Sequence, residues 1–130
     1  MSKREHWDLT DMIIGCFYKV YNTLGYGFLE QVYERALLHE LTKIGLDVKR
    51  QHPLTVFYDS IEVGDYFADL IVNDTVIVEL KTADEVHRNH EAQLVSYLKA
   101  TGKRTGLLLL FGKQAIVRRI YNNPYNPNNP

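Results

Sequence analysis

The run from Asp69 to Lys81, Asp-Leu-Ile-Val-Asn-Asp-Thr-Val-Ile-Val-Glu-Leu-Lys, sets charged residues inside two segments that otherwise have the composition of core strands. Phe67 to Val72 and Val76 to Leu80 are apolar and rich in β-branched residues, and Asn73-Asp74-Thr75 between them has the composition of a tight turn. Side chains alternate faces along a strand, and residues opposite each other in an antiparallel pair share a face, so loop length decides which residues meet. A three-residue loop sets Val72 against Val76, Leu70 against Val78 and Ala68 against Leu80, making one face wholly apolar. Asp69 then faces Glu79 on the other side, together with Phe67, Ile71, Ile77 and Lys81. A two-residue loop would oppose Asp69 to Val78 and Ala68 to Glu79, scattering charge over both faces. The three-residue loop is therefore the expected one.

Two carboxylates side by side on a half-buried sheet repel, and each costs several kcal/mol to desolvate unless a cation or hydrogen bonds compensate. A divalent metal would do so, and oxygen-only ligands favour a hard ion such as magnesium or manganese. Lys81, two residues beyond Glu79, would reach the same spot. The competing interpretation is an Asp69–Lys81 ion pair at a sheet edge with Glu79 solvated.

A chain of 130 residues with 45% hydrophobic content suits one domain with a single core, here expected over residues 1–121. Fifteen basic residues nearly balance 16 acidic ones, so any nucleic-acid binding must come from a local patch. Cys16 has no partner for a disulfide or a zinc site and is expected to be a buried thiol. The first residues carry no apolar signal segment and no run approaches membrane-spanning length, which predicts a soluble cytoplasmic protein without membrane association.

Ile13, Phe17, Val20 and Leu24 recur at helical spacing after Asp8 or Thr10, either a candidate N-cap, and Gly25 and Gly27 end this first helix. A second helix is predicted from about Leu29 to Ile44, stopped by Gly45, with Glu30 and Tyr33 in its first turn. The helix dipole favours a carboxylate there and is itself a sufficient reason for Glu30. Short strands are expected at Val48 to Arg50 and Leu54 to Tyr58, separated by Pro53 and followed by a turn at Asp59-Ser60. After the charged hairpin, Thr82 to Asn89 is polar and irregular. A third helix runs from His90 to Gly102, with Gln93 and Tyr97 on one face and Leu94 and Leu98 on another. Leu107 to Phe111 resembles a strand covered on both faces, and Ala115 to Tyr121 is its expected partner. Residues 122–130, with three prolines and five asparagines, are predicted to be a disordered tail.

This order of elements resembles the αβββαβ core of the PD-(D/E)xK nuclease superfamily, with Asp69 and Glu79-Leu80-Lys81 matching its signature. Gly27-Phe28-Leu29-Glu30-Gln31-Val32-Tyr33 is similar to the motif that names the GxxExxY family within it. Ala68-Asp69-Leu70, Val78-Glu79-Leu80-Lys81 and His90-Glu91-Ala92-Gln93-Leu94 resemble that family's other blocks, so the likeness covers roughly residues 10 to 121. Phe67 departs from it, standing where similar sequences often carry an arginine. The Gln93-xxx-Tyr97 spacing is also similar to the exonuclease domains of bacterial recombination helicases.

The resemblance implies a restriction-endonuclease-like α/β fold: a mixed central sheet flanked by helices, with an extra N-terminal helix and C-terminal strand. It implies a magnesium- or manganese-dependent phosphodiesterase acting on nucleic acid, DNA in the first instance and RNA in the second. Glu30, Asp69, Glu79 and the Leu80 backbone carbonyl would hold the metal, Lys81 would act on the attacking water and the phosphate, and Gln93 would orient them. His90, Tyr97 and Tyr33 are supporting candidates, and Lys49, Arg50, Lys99, Lys103 and Arg104 could track a phosphate backbone. Two alternatives are a catalytically silent module acting in a complex and a structural homodimer joined through the Ala115–Tyr121 edge.

Overall fold

The structure is a computed structural model that describes residues 3–122, with side chains from Asp8 onward. Its elements are α1 (Lys3–Leu24), α2 (Glu30–Lys43), β1 (Val48–Tyr58), β2 (Ile61–Val72), β3 (Val76–Lys81), α3 (Arg88–Thr101), β4 (Thr105–Phe111) and β5 (Ala115–Tyr121). The strands form one sheet in the order β1-β2-β3-β4-β5. Among the described residues only the β3–β4 pair is parallel, because α3 carries the chain back across the sheet between them.

Alternation along the central strands produces two buried layers. Leu70, Val72, Val76, Val78, Leu80, Leu107, Leu109 and Phe111 pack with Ile13, Phe17 and Val20 of α1 and Tyr33, Leu37 and Leu41 of α2. Ile71, Ile77, Leu108 and Leu110 pack on the other side with Leu94, Tyr97 and Leu98 of α3. Every residue of β4 is buried, as a strand covered by helices on both faces must be. Gly106 lets α3 approach β4 closely, since a Cβ there would stand 2.9 Å from Leu94. Cys16 is a buried free thiol, as its apolar setting suggested.

The charged hairpin has the expected register: Leu70 pairs with Val78, Ile71 with Ile77 and Val72 with Val76. Asn73 and Asp74 take left-handed φ of 52° each, and the Thr75 N–H closes the turn on the Val72 carbonyl at 3.0 Å.

Several boundaries differ from the sequence expectation. Helix α1 begins at Lys3, so Asp8 and Thr10 lie within it and neither caps it. Helix α2 covers Glu30–Lys43, with Leu29 and Ile44 as its caps, and α3 starts at Arg88 on a His87 cap. Pro53 does not split β1, because β1 is an edge strand, where a residue without an N–H is tolerated. The Asp59-Ser60 turn, with φ of 53° and 63°, joins β1 to a β2 long enough to include Gly64 and Asp65. Ala68 belongs to the α3-side layer and not to the layer of Leu70 and Leu80. Val48 and Leu54 divide in the same way, so both strands of the β1–β2 ribbon exchange faces between these residues. The predicted tail lies outside the described residues from position 123 on, while the Asn122 N–H donates to the Arg104 carbonyl at 2.9 Å. No helix among the described residues is long and apolar enough to cross a membrane.

Candidate active site at the fork of two strands

The β2–β3 ladder stops at Leu70 and Val78, one step before Asp69 and Glu79 come opposite each other. Side chains complete it there. The Asp69 N–H donates to Glu79 Oε1 at 3.1 Å, and the Leu80 N–H donates to Asp69 Oδ2 at 2.9 Å. Asp69 and Glu79 are thus cross-strand neighbours at a fork.

Glu79 is only 3% exposed. Burial, the adjacent Asp69 charge and their side-chain contact push its carboxyl up to about 9, against the opposing pull of the Asp69 N–H and Lys81. Lys81 closes β3, half-buried, and forms no ion pair among the described residues, so the Asp69–Lys81 pair considered above is absent.

The first turn of α2 brings Glu30 to the same fork. Its carboxyl is raised by burial and then by Asp69 and Glu34, while Lys81 lowers it. From α3, Tyr97 is pushed up to about 12 by burial and by the Glu79 and Asp69 charges, and its ring lies 5.4 Å from that of Tyr66. His90 is held below its ordinary value by burial, Lys81 and His87. Its Nδ1 accepts the His87 N–H at 3.4 Å, which fixes the start of α3.

Tyr33, one of the supporting candidates, stands elsewhere. Tyr33 lies in the core, stacked on Phe111 at 4.2 Å, and its hydroxyl donates to the Gly25 carbonyl and accepts the Phe28 N–H. It fixes the loop leading into Glu30 and does not itself face the carboxylates. Gln93 is exposed and makes no hydrogen bond among the described residues, whereas Tyr97, expected on its face, is buried with Leu94 and Leu98.

Two of the five basic candidates, Lys103 and Arg50, are engaged by carboxylates of the protein itself. Lys103 Nζ donates to the Asp74 carbonyl at 2.8 Å and to its carboxylate at 3.2 Å, beside the β2–β3 turn. Val76 pairs with Thr105 and Lys81 with Leu110, so Lys103 and Arg104 lie at the opposite end of β3 from Lys81. Five residue steps of strand separate those ends, roughly 17 Å. Lys99 sits near the same far end, in the last turn of α3, and Lys49 lies close enough to Asp74 to lower its carboxyl. Arg50 Nε pairs with Glu34 at 2.8 Å.

Sequence reasoning missed Glu34 and Gln51. Glu34 is 4% exposed and accepts from Arg50 and from the Gln51 amide, which donates to its two oxygens at 3.1 Å each and to Asp69 Oδ1 at 3.4 Å. The available signal for Glu34 was its place four residues after Glu30, on the same side of a helix.

Beyond Lys81 the chain is locked against the β4–β5 turn. Asp84 accepts the Lys113 N–H at 2.7 Å, and a Cβ on Gly112 would collide with the Ala83 carbonyl oxygen.

Among the described residues no three His, Cys, Asp or Glu side chains converge as ready metal ligands. The donor set nevertheless fits a hard cation. All three of Glu30, Asp69 and Glu79 are oxygen donors, the Asp69 charge repels both of the others, and Glu79 is nearly fully buried and forms no ion pair among the described residues.

A mixed five-stranded sheet between helices, with an acidic fork and a lysine two residues beyond it, defines a nuclease-type α/β fold. The chain belongs to the PD-(D/E)XK nuclease superfamily, whose family model matches residues 7–120. Among solved structures it is similar to an alkaline exonuclease from Laribacter hongkongensis, with 15% identity and a TM-score of 0.54 over 72% of this chain and 55% of that one. It is also similar to the protein SSO0001, with 18% identity and a TM-score of 0.54 over 95% of this chain and 62% of that one. The chain therefore spans little more than half the length of these structures, and at such identity the likeness is one of fold. No curated protein sequence matches significantly.

Proposed function

We propose that the chain is a metal-dependent nuclease that hydrolyses phosphodiester bonds of DNA, with RNA as the second candidate, and that within its superfamily it is of the GxxExxY type. The observation that carries this is the meeting of Glu30, Asp69, Glu79 and Lys81 at one fork in a chain of this superfamily. Glu30, Asp69, Glu79 and the Leu80 carbonyl would hold magnesium or manganese, which supplies an acidified water and charge neutralisation at the phosphate. The Lys81 ammonium stabilises charge developing on the phosphoryl oxygens and steadies the attacking water. Tyr97 and His90 shape the α3 wall, and exposed Gln93 is free to swing toward a bound strand.

The test is a cleavage screen with magnesium and with manganese on single-stranded, duplex and branched DNA and on RNA, run beside Glu79→Ala. Metal-dependent cleavage lost in the variant supports the proposal, and cleavage that survives in Glu79→Ala defeats it. One observation favours a silent binding module instead: Asp69 and Glu79 are both occupied by backbone N–H groups. Binding of nucleic acid without cleavage under either metal would favour that alternative.

A further inference from the structure

Arg50 and Gln51 are adjacent in β1, yet both side chains bond Glu34. Neighbours on an extended strand point to opposite faces, so one of them must leave the extended conformation. Gln51 does so, with φ of 50°, a left-handed conformation that a residue with a Cβ adopts at a cost. Gln51 also stands at the register position opposite Asp69, between the pairs Arg50–Leu70 and His52–Ala68. The strained backbone therefore delivers one amide group to two carboxylates. All its acceptors are carboxylate oxygens, which identifies the nitrogen as the end that faces them.

We propose that Gln51 is a positioning residue for Asp69, anchored on buried Glu34, whose charge Arg50 balances. This rests on the nuclease reading above and adds a residue to it. With Gln51 on Oδ1 and the Leu80 N–H on Oδ2, both Asp69 oxygens are held, so the carboxylate meets an incoming cation already oriented. Glu34 is the poorer metal ligand, because the Arg50 guanidinium already balances its charge, whereas Asp69 forms no ion pair among the described residues.

The test measures manganese(II) affinity by calorimetry on the full chain, with thermal melts in chelator alongside. Gln51→Gly relieves the backbone strain while deleting the amide, and Gln51→Asn tolerates left-handed φ but is one methylene too short to span both carboxylates. Each is expected to bind manganese about 10–100-fold more weakly, with a metal-free melt lowered modestly because buried Glu34 Oε2 loses the Gln51 amide. Wild-type affinity in both variants, or a lowered metal-free melt with unchanged affinity, overturns the positioning role and leaves the nuclease reading standing. Absence of manganese binding to the wild type overturns the metal site and the positioning role together.

Discussion

Glu79 and Asp69 each complete the other strand's backbone: Glu79 Oε1 accepts the Asp69 N–H and Asp69 Oδ2 accepts the Leu80 N–H. Two acidic side chains thereby replace ladder bonds at the point where β2 and β3 part. The arrangement satisfies backbone donors but concentrates negative charge, and Glu79, the more buried of the pair, bears the consequence.

Metal-free stability should fall as pH rises. The folded-state value of Glu79, about 9, lies above the ordinary 4.5, so in the window between them the folded protein holds a proton that the unfolded chain has released. The unfolded state then binds fewer protons, and stability declines with pH across that window, while below it Glu79 imposes no penalty. Glu79→Gln should flatten the decline. Urea midpoints in chelator from about pH 5 to about pH 9 provide the measurement, and parallel profiles for wild type and variant would show the decline to have another source.

Lys81→Ala should reduce cleavage by about 10²–10³, the range for removing one group that stabilises transition-state charge. Lys81 forms no ion pair among the described residues, so little native structure depends on it. A small alkaline destabilisation is expected, because Lys81 opposes the upward shifts of both Glu30 and Glu79. Global unfolding of the variant, or cleavage at the wild-type rate, would remove Lys81 from the chemistry.

Parity made the hairpin register legible, since a one-residue slip would have exposed an apolar face. The same rule failed at Ala68 and Gln51, where the β1–β2 ribbon exchanges faces through a left-handed residue that strand periodicity does not encode. Glu34 shows a different limit. Helical spacing could have placed it beside Glu30, but its partners lie on a strand whose register the sequence left open. Pro53 suggested a break and proved compatible with an edge strand, a distinction that depends on strand order. Charge alone says nothing about which end of the sheet a lysine occupies, and Lys103 and Arg104 fell at the far end.

Lys103→Ala should leave nucleic-acid affinity and its salt dependence unchanged. A lysine contacting phosphate contributes about one unit to the slope of log affinity against log salt. Lys103 instead holds the β2–β3 turn through the Asp74 carbonyl and carboxylate. Fluorescence anisotropy of a labelled oligonucleotide over a salt series would reveal a reduced slope if Lys103 faces the substrate.

Glu30→Gln distinguishes a metal ligand from an ordinary helix start. If the carboxylate served only the helix dipole, its loss would cost about 0.3–1 kcal/mol and leave the response to metal unchanged. Its surroundings point the other way: burial and the Asp69 and Glu34 charges all raise its carboxyl, so ionised Glu30 is under repulsion in the metal-free protein. Replacing it with a neutral amide of the same shape should therefore leave the metal-free melt unchanged or higher. The same change should shrink the stabilisation that manganese gives by binding the folded state. Thermal melts of wild type, Glu30→Gln and Glu79→Gln with and without manganese separate the cases. An undiminished shift in Glu30→Gln beside a lost shift in Glu79→Gln would confine the ligands to the hairpin.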